Sequence, residues 1–360
     1  MRFAILAEQS FGPQSSKTAS ACIRYTPERV VAVIDSALAG RTAQDVLDFG
    51  GDIPVVATLE DALRRRPTAL LIGIAPPGGQ LPEAWRGMLR HAIEAGLEIW
   101  SGLHFFIGDD AELAALAAER GVAIRDLRRP PAKLDVARGR VRDVDGTNTV
   151  VLTVGSDCNI GKMTTQLQLR DAMRRAGHDV VFAATGQTGI LVEGWGIAVD
   201  AVIADFIAGA SEQLTLEGAR KGEIVLVEGQ GSIIHPSYSG VTYGLLHGAL
   251  PHGLLLCTQP SRTAINHNAW VKIPPLRELV DLHERVTAPL RRAPVIGIAL
   301  NTFDLDDRAA ADAVKRAEDE TGLPATDPVR YDPTPLVEAV ARFHASRRVA
   351  PRRAESMTGA

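Results

Sequence analysis

Residues 154–165 read VGSDCNIGKMTT, and this stretch decides the fold of the larger part of the chain. It contains the pattern G-x-x-x-x-G-K, with Gly155, Gly161 and Lys162 in the fixed positions. An apolar run at 149–154, typical of a buried strand, precedes it, and a helical pattern begins at about Lys162. Glycines allow positive φ and close backbone approach, so the loop amides and the helix N-terminus can face an anion. The segment therefore predicts a loop that holds the phosphates of a nucleotide-containing ligand.

The position after the lysine departs from the usual pattern. A magnesium-binding hydroxyl normally stands there, whereas this chain has Met163, with Thr164 one residue later. A shift of one residue on a helix turns a side chain by about 100°, which disfavours a magnesium–triphosphate geometry. A ligand whose phosphates are bound but not cleaved, such as coenzyme A, stays compatible with the loop, and no metal site is predicted. The expected cofactor contacts on the loop are Gly155, Ser156, Asn159, Gly161, Lys162, Met163 and Thr164.

Outward from the loop, the alternation of strands and helices continues to about residue 346. Short apolar, β-branched runs predict four further strands, at 179–184, 223–228, 253–257 and 295–300. Apolar residues at helical spacing predict helices from 162 and over 308–322. Five strands with intervening helices predict a doubly wound parallel sheet, whose ligand is expected at the carboxyl ends of the strands.

A separate strand–helix block precedes the loop and predicts a Rossmann-like domain over 1–125. Its predicted strands lie at 2–6, 30–34, 53–57, 69–74 and 122–125, and its predicted helices at 59–66, 82–95 and 111–121. A charged connector with consecutive prolines, 126–148, is predicted as a linker, and 347–360 as a flexible tail. The chain is therefore predicted to be an α/β protein with two doubly wound parallel-sheet domains, N-terminal Rossmann-like and C-terminal P-loop NTPase-like, the second spanning 149–346.

The composition is that of a soluble globular protein, with 360 residues, 46% of them hydrophobic and 23% charged. A formal net charge of −4 gives no drive toward nucleic acid or anionic membranes. Cys22, Cys158 and Cys257 are far apart and form no CxxC pair, which favours a reducing compartment. The longest apolar stretch, 240–257, is interrupted by histidines and a proline, and the N-terminal apolar run ends at Glu8. We therefore predict a cytoplasmic protein without nucleic-acid or membrane partners.

Three side chains near the predicted ligand edge are candidates for catalysis alongside Lys162. Glu228 ends a strand and could act as a base, a metal ligand or a water positioner, or simply be an exposed carboxylate. Asp157 lies inside the loop, where it would repel phosphate unless it faces a cation, a lysine or a substrate amine. His235 could accept a proton near neutral pH, or pack under the following proline. Cys158 has no identifiable partner histidine, and we interpret it as a small filler.

Loops at the same edge supply the candidate substrate contacts. The glycine-rich segment 185–189 follows the second strand of the P-loop block, and Thr185 and Gln187 are its candidate contacts unless it is a simple turn. Asp205 either lines this edge or caps a helix. Arg262 could pair with a substrate carboxylate, because guanidinium and carboxylate match in a bidentate geometry, or it could be an ordinary surface arginine.

Three segments together resemble the DgcN-type proteins, long catalogued as a domain of unknown function. They are GSDCNIGKMTT at 155–165, DFIAGASE at 205–212 and VEGQGSIIHP at 227–236. The resemblance covers essentially the whole chain and implies a Rossmann-like part followed by a P-loop part. It also implies a D-glutamate N-acetyltransferase that uses acetyl-CoA and supplies a racemase-like enzyme in D-amino-acid catabolism.

The P-loop block is also similar, more distantly, to dethiobiotin synthetase. That similarity implies that Glu228 takes the place of a metal-side glutamate and that Asn301 reads an adenine. It leaves open an ATP- or GTP-dependent ligase or kinase, in which Glu228 and Asp157 hold magnesium and Thr164 replaces the missing hydroxyl. A third possibility is a nucleotide sensor without catalytic activity.

The preferred hypothesis is an amino-acid N-acetyltransferase. Acetyl-CoA would place its phosphates on 155–162, and Asp157, Glu228 or His235 would take a proton from the amine of the substrate. Loop N–H groups or Lys162 would stabilise the oxyanion that forms when the amine attacks the thioester. The expected partners are a small-molecule amino acid and further copies of the chain in a homo-oligomer.

Overall fold

The computed structural model describes residues 1–13, 15–144, 146 and 148–349, and it divides the chain into two compact units. The first unit contains Met1–Pro130 and Gly186–Ala201, and the second contains Pro131–Thr185 and the chain from Val202 onward. Each unit is built on one six-stranded sheet. Among the described residues, no helix combines the length and the apolar character needed to cross a membrane.

The first sheet is entirely parallel, in the order β3-β2-β1-β4-β5-β6, which is the order of a doubly wound dinucleotide-binding fold. Its strands are β1 Phe3–Leu6, β2 Val30–Ile34, β3 Val55–Val56, β4 Ala69–Ile72, β5 Glu98–Ser101 and β6 Ile124–Asp126. Its helices are α1 Lys17–Tyr25, α2 Ala43–Leu47, α3 Leu59–Leu63, α4 Glu83–Glu94 and α5 Ala111–Arg120. The four residues of β1 are fully buried because helices cover both faces of the sheet. The Rossmann-like prediction is confirmed, although β5, a short strand with polar ends, was not anticipated.

The second sheet is also parallel, in the order β14-β13-β10-β7-β9-β8. The strands of this half are β7 Thr149–Gly155, β8 Val180–Ala183, β9 Ile224–Val227, β10 Gly253–Thr258, β11 Ala264–Ile265, β12 Asn268–Lys272, β13 Val295–Leu300 and β14 Ala325–Thr326. The helices are α6 Lys162–Arg175, α7 Gln187–Glu193, α8 Ile207–Lys221, α9 Ser239–Ala249, α10 Leu276–Thr287, α11 Asp307–Thr321 and α12 Thr334–Val349. The five predicted strands are confirmed. The two-residue strands β11 and β14 are too short to leave a periodic signal, and the antiparallel strand β12 is largely exposed and lacks a buried apolar run.

The segment Gly186–Ala201, which carries α7, leaves the second half of the chain and joins the first unit. Leu191 on α7 is part of the hydrophobic core of that unit, and the hydroxyl groups of Thr18 and Thr188 lie 3.0 Å apart. The buried Arg128 forms an ion pair with Asp200 at the end of the same segment. Boundaries drawn along the sequence at 125, 148 and 346 do not anticipate this excursion, because only the packing reveals it. At the other end, α12 runs to Val349, past the predicted end of the domain at 346, and residues 350–360 of the predicted tail lie outside the described residues.

The connector before β7 is fixed to α8 by one buried carboxylate. Glu212 is fully buried and accepts hydrogen bonds from the backbone N–H groups of Arg138 (3.1 Å) and Arg140 (2.7 Å). The Arg140 guanidinium forms an ion pair with the Glu212 carboxylate, at a distance of 2.9 Å. The connector is therefore held by a charged anchor with three donors, and Glu212 is accounted for by this structural role.

His283 on α10 is a buried histidine held in one tautomer. Its Nδ1 lies 2.7 Å from the Leu279 carbonyl oxygen, so Nδ1 carries the proton. Its Nε2 is buried and has no hydrogen-bond partner within the described ranges. Burial lowers the pKa of His283 from 6.5 to about 4, because the charged form would lose its hydration.

This histidine should make the stability of the protein depend on pH. Since the folded pKa lies below the unfolded one, His283 contributes stability that is fully present above about pH 6.5 and is lost as the pH falls toward 4. Between pH 7 and pH 5 we expect a loss of about 2 kcal/mol in the free energy of unfolding. Urea unfolding at pH 7 and pH 5 measures the change in the free energy of unfolding. In H283L, the part of that change due to His283 should be absent. An equal loss in H283L and wild type would contradict the prediction.

Candidate active site

The phosphate-loop motif lies between the central strand β7 and α6. Gly155 ends β7, and Gly161 has φ of +102° where the chain turns into α6, which begins at Lys162. A Cβ on Gly155 would lie 2.6 Å from the Ile160 Cδ1 atom and 3.1 Å from the Cys257 carbonyl oxygen, so a larger residue would force its neighbours to shift. Lys162 is only 7% exposed, and its Nζ donates a hydrogen bond of 2.6 Å to the Asp157 carbonyl oxygen. The Lys162 ammonium group therefore lies across the loop, where it can form an ion pair with an anion held by the loop amides.

The side chains of the loop have different surroundings. Ser156 is fully buried, and its backbone N–H and hydroxyl bond the Cys257 carbonyl oxygen (3.1 Å) and the Thr258 hydroxyl (3.1 Å) of β10. Asn159 has φ of +54°, in the left-handed region. Met163 is 6% exposed and is one of the buried apolar residues of the chain. This burial gives a physical reason for methionine where a hydroxyl is usual.

Asp157 joins the loop to the segment that follows β10. The Nη1 atom of Arg262 donates to Asp157 Oδ2 (2.8 Å) and to the Cys158 carbonyl oxygen (2.9 Å). The backbone N–H of Asn266, between β11 and β12, donates to the same Oδ2 (2.8 Å), and the N–H of Cys158 donates to Oδ1 (2.6 Å). The carboxylate is fully buried, so its charge needs this pairing with Arg262. Asp157 thus faces a cation, as its position in the loop required.

His235 lies beside Asp157, in the loop between β9 and α9. It is 4% exposed, and its Nε2 is 3.8 Å from Asp157 Oδ1. Its Nδ1 accepts a hydrogen bond from the Ser237 backbone N–H (3.1 Å), so in the neutral ring the proton is on Nε2. The ring also packs against Tyr238, with centroids 4.6 Å apart. This tautomer offers a donor at Nε2, and it disfavours the predicted role of His235 as a proton acceptor.

The structure supplies the partner histidine that the sequence did not reveal for Cys158. Asp157, Cys158 and His235 each have one atom that could bind a metal ion, and these three atoms lie within 4.8 Å of one another. Cysteine, histidine and carboxylate together form a set that could hold zinc. However, the Nδ1 of His235 already accepts the Ser237 N–H, its Nε2 carries the ring proton in that tautomer, and the Arg262 guanidinium neutralises Asp157. These contacts favour a hydrogen-bonded network over a metal centre. Cys158 and His235 are 77 positions apart in the sequence, and no sequence pattern indicated that they lie close together.

Glu228 directly follows β9 and is 2% exposed, which rules out the alternative of an exposed carboxylate. Its Oε2 accepts a hydrogen bond from the Thr185 N–H (2.9 Å), and the Thr185 hydroxyl donates to the Glu228 carbonyl oxygen (2.9 Å). Gln230 in turn donates to the Thr185 hydroxyl (3.2 Å). A Cβ on Gly229 would lie 1.8 Å from the Thr153 carbonyl oxygen, so the chain leaves β9 in close contact with β7. Thr185 therefore orients Glu228.

Asp205, Gln187 and Asn301 are the remaining residues that the sequence predicts as ligand contacts. Asp205 is exposed in a short turn before α8, and its side chain makes no hydrogen bond or ion pair within the described part of the chain. Gln187 begins α7 in the first unit, where its side chain packs on Gly102. Asn301 follows β13 and does stand beside the loop, with its Cβ 3.9 Å from the position of a Cβ on Gly161.

Comparison with known proteins gives consistent matches over both halves. Residues 135–337 match the P-loop domain of DUF1611, and residues 36–130 match its Rossmann-like N-terminal domain, both described as domains of unknown function. A curated protein of Tritonibacter scottomollicae named D-glutamate N-acetyltransferase is 40% identical over 289 residues, which cover 79% of this chain and 84% of that protein. A Pseudoalteromonas protein of the same name is 36% identical over 263 residues, 72% of this chain and 77% of its own length.

A solved structure is similar over nearly the whole chain. The crystal structure of a DUF1611 family protein from Anabaena variabilis is 41% identical in sequence, with a TM-score of 0.90. The match covers 95% of this chain and 99% of that one. Both the order of the domains and the fold are therefore shared with a protein that was solved independently.

Proposed function

This chain belongs to the DUF1611 family, and from that premise we propose that it transfers the acetyl group of acetyl-CoA to the amino group of D-glutamate. The observation that carries the proposal is the 40% identity to a D-glutamate N-acetyltransferase over 84% of that protein's length. Because the match extends over both domains of the family, it supports a shared activity and not only a shared P-loop. Met163 in place of the magnesium-binding hydroxyl supports a nucleotide that is held but not cleaved.

The loop from Gly155 to Lys162 is the proposed site for the pyrophosphate of acetyl-CoA. The loop amides and the N-terminus of α6 carry partial positive charge, which favours a bound anion, and Lys162 adds a full positive charge. When phosphate binds, the Lys162 ammonium exchanges the neutral Asp157 carbonyl oxygen for an anionic oxygen, which strengthens the bond. Ser156 and Asp157 are fixed by β10 and by Arg262, so the loop needs little reorganisation.

Arg262 is the proposed contact for a carboxylate of D-glutamate. Its side chain is 19% exposed, and its hydrogen bonds to the loop all use Nη1. Within the described residues, Nη2 has no hydrogen-bond partner, so one face of the guanidinium remains for a second carboxylate. Asp157 then positions Arg262, and the two opposite charges of this buried pair hold the orientation.

Glu228 is the proposed base. Of the three candidates, His235 presents an N–H, and Asp157 already accepts three hydrogen bonds in an ion pair. The Glu228 carboxylate takes a proton from the substrate ammonium, and the free amine attacks the thioester carbon. A carbon–nitrogen bond forms, the oxyanion collapses with loss of the CoA thiolate, and the thiolate takes up the second proton, which the nitrogen loses after the attack. The first proton leaves Glu228 to solvent. The His235 N–H and the loop amides are the proposed donors to the oxyanion.

The length of the pantetheine arm sets a condition on this assignment. At roughly 1.2 Å per bond, an extended arm would carry the sulfur about 15 Å from the pyrophosphate. Glu228 lies close to the loop, with Lys162 packed against the neighbouring Gly229. The arm therefore has to fold back over the loop for Glu228 to act on the amine that attacks the thioester.

The direct test follows release of the free CoA thiol by purified protein with acetyl-CoA and D-glutamate. We expect D-glutamate-dependent thiol release and N-acetyl-D-glutamate as the product, with L-glutamate and glycine as comparison substrates. Absence of thiol release with amino acids of either configuration would refute the function. Magnesium-dependent release of ADP or phosphate from ATP would instead support the ligase or kinase hypothesis.

R262Q should separate substrate binding from cofactor binding. Loss of a charge-assisted hydrogen bond of about 1.5–3 kcal/mol should raise KM for D-glutamate roughly 10- to 150-fold. KM for acetyl-CoA should change much less. R308Q, at an exposed position of α11, is the matched control. If R262Q raised KM for acetyl-CoA alone, Arg262 would belong to the cofactor site.

Acetyl-CoA and glutamate are metabolites of the cytoplasm, and we place the reaction there. The proposed homo-oligomer follows from the tendency of small parallel-sheet proteins to pair. Light scattering coupled to size-exclusion chromatography measures its mass.

A further inference from the structure

One cation at the carboxyl edge of the second sheet is used neither by the fold nor by the proposed reaction. The stretches that lead from the end of each strand of this sheet to the first residue of the next α-helix all lie within the described residues. They contain four lysine or arginine residues, which are Lys162, Arg262, Lys272 and Arg330. Lys162 is assigned to the phosphates and Arg262 to one substrate carboxylate, so Arg330 and Lys272 remain to be explained.

Arg330 is accounted for by the fold, whereas Lys272 is not. The Arg330 guanidinium donates to the carbonyl oxygens of Thr302 (2.8 Å) and Leu305 (2.6 Å), and it forms an ion pair with Asp307 (2.6 Å). Lys272 is exposed, and in the part of the chain that the structure describes its ammonium group makes no hydrogen bond or ion pair. Because a surface lysine needs no partner, the position of Lys272 decides whether it can bind a ligand.

The segment that leads into the β11–β12 hairpin covers the buried carboxylate of the phosphate loop. Arg262 Nη1 and the backbone N–H of Asn266 both donate to Asp157 Oδ2, each at 2.8 Å. The chain from 262 to 266 is therefore held at the loop at both of its ends. Ala264 is the middle residue of this segment, so a residue that pairs with Ala264 stands beside the loop as well.

Lys272 is the residue that pairs with Ala264 across the hairpin. Next to this pair, the Ile273 N–H donates to the Thr263 carbonyl oxygen at 3.0 Å, which fixes the base of the hairpin. Opposite residues of an antiparallel pair have Cα atoms about 4.5–5.5 Å apart, and their side chains lie on the same face. Lys272 is therefore one strand away from the segment that begins with Arg262.

Two neighbouring cations of different kind fit a substrate with two carboxylates. In glutamate the α-carboxylate and the side-chain carboxylate are separated by three carbon atoms. The planar guanidinium of Arg262 is held in one orientation by Asp157 and suits the α-carboxylate, whose place is fixed next to the reacting amine. The Lys272 ammonium is a point charge on a flexible stem, which suits a carboxylate at the end of a flexible side chain.

We propose that Lys272 binds the side-chain carboxylate of the substrate and thereby selects glutamate over amino acids with a neutral side chain. Arg262 then binds the α-carboxylate, and Lys162 stays with the phosphates. This assignment rests on the proposed acetyl transfer to D-glutamate. It goes beyond that function because it names the residue that distinguishes one amino-acid side chain from another.

D-Glutamine tests the assignment, because it has the shape of D-glutamate without the side-chain charge. Calorimetric titration of wild type in the presence of CoA should show D-glutamate binding about fivefold more tightly than D-glutamine, the upper end for an exposed ion pair. In K272Q the two dissociation constants should become equal, and K272E should reverse the preference. K315Q, at an exposed position of α11, should keep the wild-type ratio. Because each ratio is measured within one variant, misfolding cannot imitate the result.

R262Q separates the two carboxylates of the substrate. D-Glutamate and D-glutamine share the α-carboxylate, so R262Q should weaken the binding of both alike and keep the wild-type ratio. A ratio that is lost in R262Q but kept in K272Q would overturn the proposal, because the side-chain carboxylate would then lie on Arg262. A K272Q protein with a raised KM for acetyl-CoA and an unchanged ratio would overturn it too, since Lys272 would then belong to the cofactor site.

Failure of this assignment and failure of the proposed function give different results. Equal binding of D-glutamate and D-glutamine by wild type, or binding of neither, would overturn the role of Lys272. If thiol release with D-glutamate persisted in that case, the proposed acetyl transfer would stand without it. A binding ratio that K272Q abolishes, in a protein that releases no thiol from acetyl-CoA, would refute the acetyl transfer alone.

Discussion

K162A is expected to weaken CoA binding by roughly 10- to 150-fold, the equivalent of losing one charge-assisted hydrogen bond of about 1.5–3 kcal/mol. The Lys162 ammonium is nearly buried and lies across the loop on the Asp157 carbonyl oxygen, so few solvent molecules compete with a phosphate for it. Calorimetric titration with CoA measures the effect, and raising the salt concentration should weaken wild type more than K162A.

K315A is the matched control, because Lys315 is 74% exposed and pairs with Asp319 on the surface of α11. It should bind CoA as wild type does. A K162A protein that folds normally and keeps wild-type affinity would contradict a phosphate role for this lysine.

E228Q is expected to lower kcat by roughly 10²- to 10³-fold, within the range of a lost general base. The glutamine amide keeps an oxygen that can accept the Thr185 N–H, so the position of the side chain should be preserved. KM for acetyl-CoA and for D-glutamate should change little, because the role assigned to Glu228 is proton transfer and not binding. Steady-state kinetics with both substrates varied measures these effects.

E217Q, at a half-exposed glutamate of α8, controls for the general loss of a carboxylate and should keep wild-type kcat. The opposite pattern, an unchanged kcat with a raised KM for acetyl-CoA, would mean that the pantetheine arm extends away from Glu228. In that case another group must serve as the base.

The loop and its sheet could be predicted because their determinants are local. Gly155, Gly161 and Lys162 have fixed spacing, and β7 before them is a continuous apolar run, fully buried in the structure. The five predicted strands of the P-loop sheet carry the same signal. Strands β11 and β14 have two residues each, too few to do so, and β12 lacks a buried apolar run.

The candidate site could be predicted only in part, because its contacts join distant residues. Asp157 and Glu228 follow from their places in the loop and at a strand end. The pairing of Asp157 with Arg262 and the proximity of Cys158 to His235 depend on how the loops after β9 and β10 fold back. The tautomer of His235 is set by one backbone N–H, that of Ser237, which no sequence pattern specifies.

The grouping of Gly186–Ala201 with the first unit also exceeds what a linear reading can give. The segment begins directly after Thr185, which orients Glu228, so its sequence position suggested a substrate loop. Its apolar residues, such as Leu191, instead complete the core of the Rossmann-like sheet. A discontinuous unit leaves no mark in composition or periodicity, and the two substrate residues proposed from this stretch, Thr185 and Gln187, belong to different units.

A crystal structure of the complex with CoA tests the central claim most directly. The account predicts pyrophosphate oxygens within hydrogen-bond distance of the amides between Gly155 and Lys162. The Lys162 Nζ should have moved from the Asp157 carbonyl oxygen to a phosphate oxygen. CoA bound with its pyrophosphate elsewhere, and Lys162 still on that carbonyl oxygen, would contradict it.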